Sequence, residues 1–282
     1  MLFTLGSLTA MADQNTPQEP RIIKVALLDH SEPFVVKQGD SYRGLLVDML
    51  KEAVLPSGAE FQVVIRPYAR AIPELLAGKL DVMFLIRIPG RATFPPTDKV
   101  IISQPILVTP LNLYAREDND IVINTPTDLG KYHLGGVRIR GIKHEAKTPG
   151  DPKTSYFNNP EQLFKSLVTG RIDMAITGPI IANYWQEGLQ ARFVTKLQLG
   201  KTITQFIFSK ASLQDAAIPL CTSFMKQWAT PRTQATLQES AKRYKTKVFS
   251  SLIRIPPPTM PDEELCFSVK DYLEYEKKAQ SK

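Results

Sequence analysis

One ten-residue pattern occurs twice in this chain of 282 residues, and it restricts the fold more than any other feature. LLAGKLDVMF runs from Leu75 to Phe84, and LVTGRIDMAI runs from Leu167 to Ile176, a spacing of 92 residues from Gly78 to Gly170. The shared order is apolar, apolar, small, Gly, basic, aliphatic, Asp, then a mostly apolar run. The residues before each glycine read as the end of a helix, and the glycine supplies the left-handed cap that it alone adopts cheaply. The apolar run after each aspartate reads as a strand buried on both faces. Such helix-to-strand turns belong to α/β layers with parallel strands. Two of them, about one lobe apart, predict two similar α/β lobes.

The rest of the chain can be placed around these turns. RIIKVALL, Arg21 to Leu28, is a first strand rich in β-branched residues, and GLLVDMLKEAVL, Gly44 to Leu55, has the apolar spacing of an amphipathic helix. EFQVVIRP is the next strand, PELLAG closes a helix that starts near Arg70 or Ala71, and LDVMFLI is the strand that follows. This strand and helix order is a doubly wound half, whose ligand site lies at the carboxyl ends of its strands. PILVTPLNLYARED and KTITQFIFSK are extended stretches on either side of the second turn, and both are expected to cross between lobes. The expected division is residues 13–108 with 206–282 as lobe one and 109–205 as lobe two. After IRIPPPTMP a charged helix, about Asp262 to Lys278, is expected on the surface.

Composition excludes several classes. With 43% hydrophobic and 22% charged residues, the chain has the make-up of a globular protein. Its charge of +7 favours anionic ligands, but the basic residues are dispersed and no nucleic-acid signature occurs. The opening MLFTLGSLTAMADQ has an apolar run and an A-x-A site at Ala10-Met11-Ala12, which predicts a signal remnant over residues 1–12 and a periplasmic location. No segment has the 18 apolar residues of a membrane span. The three histidines have no metal-ligand spacing, and nothing calls for a cofactor. Cys221 and Cys266 either bridge or stay as buried thiols; spacing does not choose between these.

Several segments recur in the order found in a known family: EPF after the first strand, GLLVDML on the first helix, ELLAGKLDVMF, ISQP before the first crossing and DLGKYHLGGV opening lobe two. Together, from about Ile22 to Tyr244, they resemble the amino-acid type of bacterial extracytoplasmic solute-binding protein that serves ABC importers. The resemblance implies a type II periplasmic-binding-protein fold that closes on a small molecule, works as a monomer and delivers to an ABC permease or a membrane sensor. It also implies residue roles. Arg91 in IPGRATF would hold a ligand carboxylate, to which guanidinium offers a planar fork, and Phe34 would form an aromatic wall.

Departures from the family point to an altered pocket. The acid that receives an α-amino group falls at Gly178, and Ile142 replaces a hydroxyl residue near Arg138, Arg140 and Lys143. A buried ammonium without a carboxylate partner costs several kcal/mol, so a carboxylate-bearing, weakly cationic or neutral metabolite, or a short peptide-like acid, is the better expectation. Glu32, Asp48 and Asp173 could replace the missing acid, but Asp48 reads as an exposed helix position and Asp173 as a turn residue. Arg70 opposes the dipole at a helix start, which suggests a role in the pocket, with Tyr68 stacking beside it. Arg66 and Arg87 read as solvated charges. A binding protein, not an enzyme, is the expectation; a cyclic-acid dehydratase on the same scaffold would need His30 or Glu32 as its acid or base.

Overall fold

The structure, a computed structural model, describes residues 21–28, 31–54, 60–88, 97–138, 152–247 and 250–280. Strand β1 (Ile22–Leu28) leads into a small hairpin, β2 (Val36–Gln38) and β3 (Ser41–Arg43), absent from the sequence reading. Then come α1 (Leu45–Val54), β4 (Glu60–Arg66), α2 (Tyr68–Leu76) and β5 (Val82–Arg87), in the expected order. β6 (Val100–Ser103) and β7 (Leu107–Arg116) carry the chain into a second group of elements: β8 (His133–Val137), β9 (Lys153–Phe157), α3 (Pro160–Val168), β10 (Met174–Thr177) and α4 (Pro179–Gly188). The long β11 (Phe193–Ser209) returns, followed by α5 (Lys210–Leu213), α6 (Ala217–Trp228), α7 (Pro231–Arg243), β12 (Cys266–Ser268) and α8 (Val269–Gln280).

The ladder between β7 and β11 joins two doubly wound lobes. It runs antiparallel from Phe193 opposite Arg116 to Thr204 opposite Leu107. In lobe one β4, β1 and β5 are parallel neighbours, and β5 pairs with the last third of β11. In lobe two β9, β8 and β10 are parallel neighbours, and β10 pairs with the far part of β7. Each lobe buries both faces of its sheet. Val25, Leu27, Phe84, Phe206 and Phe208 pack with α1, α6 and α7, while Ala26, Met83, Leu85 and Ile207 pack with α2 and α8. In lobe two Tyr114 and Ala175 pack with α3 and α4, and Leu113, Leu134 and Met174 pack with Ile121 and Leu129.

Both copies of the repeated turn have one geometry. Gly78 and Gly170 sit at φ of 72° and 71°, and each donates its N–H to the helix carbonyl three residues back, Leu75 or Leu167, at 3.1 Å. The aspartate then docks on the neighbouring parallel strand. Asp81 accepts from the Lys24 N–H at 2.8 Å and donates its own N–H to the Lys24 carbonyl at 3.0 Å. Asp173 does the same with His133, at 2.7 Å and 2.8 Å. The aspartate is therefore a strand-registering residue in both lobes, in agreement with the turn role read for Asp173.

Four expectations are corrected. α2 begins at Tyr68, ahead of Arg70, because Pro67 is an extended cap (φ −61°, ψ 142°), which places Pro73 in the second turn; there its missing N–H deprives only the carbonyl of exposed Ala69. Arg87 is not solvated but buried at 8% exposure, with Gln205 and Tyr272 as partners. Asp48 is buried too, since α7 packs on α1 and offers it Ser240 and Arg243. The terminal segment is not a plain surface helix: β12 adds to the edge of β6, and Val269 and Tyr272 of α8 are buried. Cys221 and Cys266 are bridged, tying β12 to α6.

Candidate functional site

Parallel strands that end together leave a crevice at their carboxyl ends, where side chains and loop backbone converge. In lobe one those ends belong to β1, β4 and β5, and in lobe two to β8 and β10. Between them run the two crossing strands, on which Thr109 and Thr202 share a hydroxyl hydrogen bond of 2.6 Å.

The loop after β1 is closed by a bridge between Ser31 and Val35, and Ser31 Oγ donates to the Leu28 carbonyl at 2.7 Å. Two of its carbonyl oxygens are already used: Pro33 and Phe34 accept from the Leu45 and Leu46 N–H groups at 3.0 Å and 3.1 Å. The first turn of α1 is thus satisfied by its own loop. Phe34, expected as an exposed pocket wall, is 6% exposed and belongs to the core of lobe one. Arg66, at the end of β4, pairs with Glu74 one element later at 2.9 Å and stays partly exposed, which fits a solvated strand end. Arg70 is exposed at the third position of α2. Tyr68 is the first residue of that helix; its side chain lies outside what is described. Arg91, Arg140, Ile142, Lys143 and His30 also lie outside the described residues.

Lobe two presents Gly178 as the extended cap of α4, with Pro179 next. A Cβ built on Gly178 would meet the Pro110 carbonyl oxygen at 3.5 Å and Thr109 Oγ1 at 3.7 Å, which is ordinary contact. The residue where an acid was expected therefore lies directly against the first crossing strand. Arg138, just past β8, is exposed and anchors its N–H on the Phe157 carbonyl at 2.7 Å.

The lobes also meet beyond the crossing strands. Ile180 in the first turn of α4 is 1% exposed and counts among the core of lobe one, and Thr246 after α7 donates its hydroxyl to the Ile180 carbonyl at 2.6 Å. Tyr184, one turn further, has its phenol pKa raised by burial first, then by the negative charge of Glu32 and by Tyr244. Sequence reasoning missed Thr109, Thr202 and Thr246, because a lone threonine on an extended stretch carries no signal until its partner strand is known. Among the described residues no cluster of His, Cys, Asp or Glu could hold a metal, and no helix is long and apolar enough to cross a membrane.

The sequence matches no protein-family model and no curated protein closely enough to count as a relative. Solved structures do resemble it. A mutant of ArgBP from T. maritima aligns at 19% identity with a TM-score of 0.63, covering 78% of this chain and 95% of that one. The substrate binding protein of an amino acid ABC transporter aligns at 15% identity, TM-score 0.60, over 79% and 99%. The ancestral amino acid-binding protein AncCDT-1, a precursor of cyclohexadienyl dehydratase, aligns at 20% identity, TM-score 0.59, over 80% and 96%. With the lobes, the crossing strands and the crevice described above, these matches identify the architecture as the two-lobed type II periplasmic-binding-protein fold.

Proposed function

We propose that the chain is a periplasmic receptor whose lobes, residues 13–108 with 206–282 and residues 109–205, close on a small carboxylate-bearing ligand for delivery to an ABC permease. One observation carries the reading: Gly178 lies against Thr109 and Pro110 of the first crossing strand, and on this reading it is the position at which a carboxylate would be needed to receive an ammonium group. The arginines of the site have no such deficit. Arg91 is assigned the ligand carboxylate, Arg70 and Arg140 supply further positive charge, and Tyr68 contributes apolar surface. A guanidinium and a carboxylate that pair as the lobes shut lose water together, which makes the bidentate contact strong and specific. The amino-acid ABC substrate-binding protein that shares the fold supports this assignment. The chain is assigned binding and no turnover.

The test is a thermal-shift screen of amino acids, organic acids and short peptides against the purified protein. A ligand at a hundredfold excess over its Kd stabilises by about 2.7 kcal/mol. Arg91→Ala is expected to remove about 2–5 kcal/mol of binding free energy, read by calorimetry. Binding that is unchanged in that variant removes Arg91 from the site, and a preference for cationic amines over acids overturns the ligand class. Neighbouring genes separate transport from sensing: a permease with an ATPase supports import, and a kinase or cyclase supports a sensor.

A further inference from the structure

The segment from Ile253 to Gln280 returns along the outer edge of β6 and β7, and it does so at the place where the chain leaves lobe one. β6 stops at Ser103 and β7 starts at Leu107, so Gln104, Pro105 and Ile106 form the junction. The returning segment brackets it. Ile253 bridges Leu107, and the Arg254 N–H donates to the Ile106 carbonyl at 2.9 Å. The Gln104 N–H donates to the Leu265 carbonyl at 2.8 Å, and its side-chain amide donates to the Glu264 carbonyl at 2.9 Å. β12 then continues the pairing with β6.

The same segment reaches the second crossing strand from the other side. Arg87 ends β5 opposite Ile203 of β11. Its Nη2 donates to the Tyr272 hydroxyl at 2.6 Å, its guanidinium carbon lies 4.9 Å from the centre of that ring, and its Nε donates to Gln205 Oε1 at 2.9 Å. Gln205 passes the link on, because its amide nitrogen donates to the Ser103 carbonyl at 2.7 Å, while Ser103 Oγ accepts from the Phe206 N–H at 3.0 Å. Tyr272, Arg87, Gln205, Ser103 and Gln104 are all at most 8% exposed. A buried polar chain of this kind is rigid when complete, and each break leaves a buried group without its partner.

We propose that the segment Ile253 to Gln280 is a hinge brace: it fastens the lobe-one ends of both crossing strands to one buried network and so limits how far the lobes open. The segment is itself held from outside the network. Cys266 is bridged to Cys221, Trp228 donates its indole N–H to the Arg254 carbonyl at 2.7 Å, and Lys226 pairs with Asp262 at 2.7 Å. α6 is therefore the post to which the brace is fixed, and the brace operates whether or not a ligand is present.

The test needs no ligand. Hydrogen exchange and solution X-ray scattering are compared for the wild type, Tyr272→Phe, and the double variant Cys221→Ser with Cys266→Ser. Tyr272→Phe keeps the ring over Arg87 and removes one hydroxyl, so folding is not at risk. The expected result is at least tenfold faster exchange at the Gln104, Ile106 and Phe206 amides in both variants, unchanged exchange at Gly136 and Ala175 in lobe two, and a broader distance distribution. Wild-type exchange at the three hinge amides, while Ser268 and Asp271 exchange faster, makes the segment a separate surface patch and overturns the proposal. A scattering profile that is unchanged in both variants overturns it too.

Discussion

Lobe one seats its copy of the repeated turn against backbone: a Cβ on Gly78 would lie 3.1 Å from the carbonyl carbon of Ala211, at the start of α5. Lobe two leaves its copy beside a side chain, with Arg116 Nη1 at 3.3 Å from the same point on Gly170. The aspartates differ in the same sense. Asp81 takes a second partner, Arg21 Nη2 at 3.0 Å, and the Ser209 N–H donates to its carbonyl at 2.8 Å. Asp173 is only half-buried. Identical local geometry is thus embedded in one lobe and nearly free-standing in the other. The repeat secures strand register in both lobes, whereas the two lobes diverge beyond the strand ends, where Gly178 closes β10 and Arg87 closes β5.

Alanine at the two glycines breaks or sharpens this contrast most. Forcing an L residue to a left-handed backbone costs about 1–2 kcal/mol at either site. At Gly78 the backbone of Ala211 must also shift, and overpacking of that kind adds about 1–3 kcal/mol. Gly78→Ala is therefore expected to lower the urea midpoint clearly more than Gly170→Ala, where the Arg116 side chain can move aside. Equal losses would mean that the surroundings of the two turns do not matter.

The aspartates come next. Asp81 is 6% exposed and also holds Arg21, so Asp81→Ala removes a buried acceptor from the Lys24 N–H, for an expected loss of about 2 kcal/mol. Asp173→Ala is expected to lose about 1 kcal/mol, because Asp173 is only half-buried and water can take the place of its carboxylate. Arg21, half-exposed, contributes little to the difference, since a solvent-facing ion pair is worth under about 1 kcal/mol. Equilibrium unfolding, with amide exchange at Lys24 and His133, measures both losses; a larger loss in lobe two would reverse the ranking.

The fold was legible because local chemistry specified it. Gly78 and Gly170 were readable as left-handed caps, and the apolar runs after Asp81 and Asp173 as buried parallel strands, since each rests on a few adjacent residues. Whatever depended on a distant partner was not legible. Asp48 reads as a surface residue until α7 is known to bring Ser240 and Arg243, and Arg87 reads as a solvated strand end until α8 supplies Tyr272. The short β12 and the hairpin of β2 and β3 carry too few residues for a period to emerge. In the candidate site, Gly178 was singled out because a family pattern places an acid there, while the pairing of Thr109 with Thr202 needed the register of two strands, the two residues being 93 apart.

The smallest expected effect lies where both lobes contribute, at Tyr184 of α4 and Tyr244 after α7. Both phenols are raised above their ordinary value of 10.0, Tyr184 by burial and then Glu32, Tyr244 by burial and then Asp48. A raised pKa means that the folded chain holds the proton more tightly than the unfolded one, so this contribution is complete below about pH 10 and is lost as pH rises through the folded value. The melting temperature is therefore expected to fall above pH 10, and less steeply in Tyr184→Phe than in the wild type. Both groups are partly exposed, so screening keeps the difference below that of either turn variant. Identical slopes in the two proteins would mean that neither burial nor the charge of Glu32 acts on the Tyr184 phenol, and would leave Ile180 and Thr246 as the meeting of the lobes beyond the crossing strands.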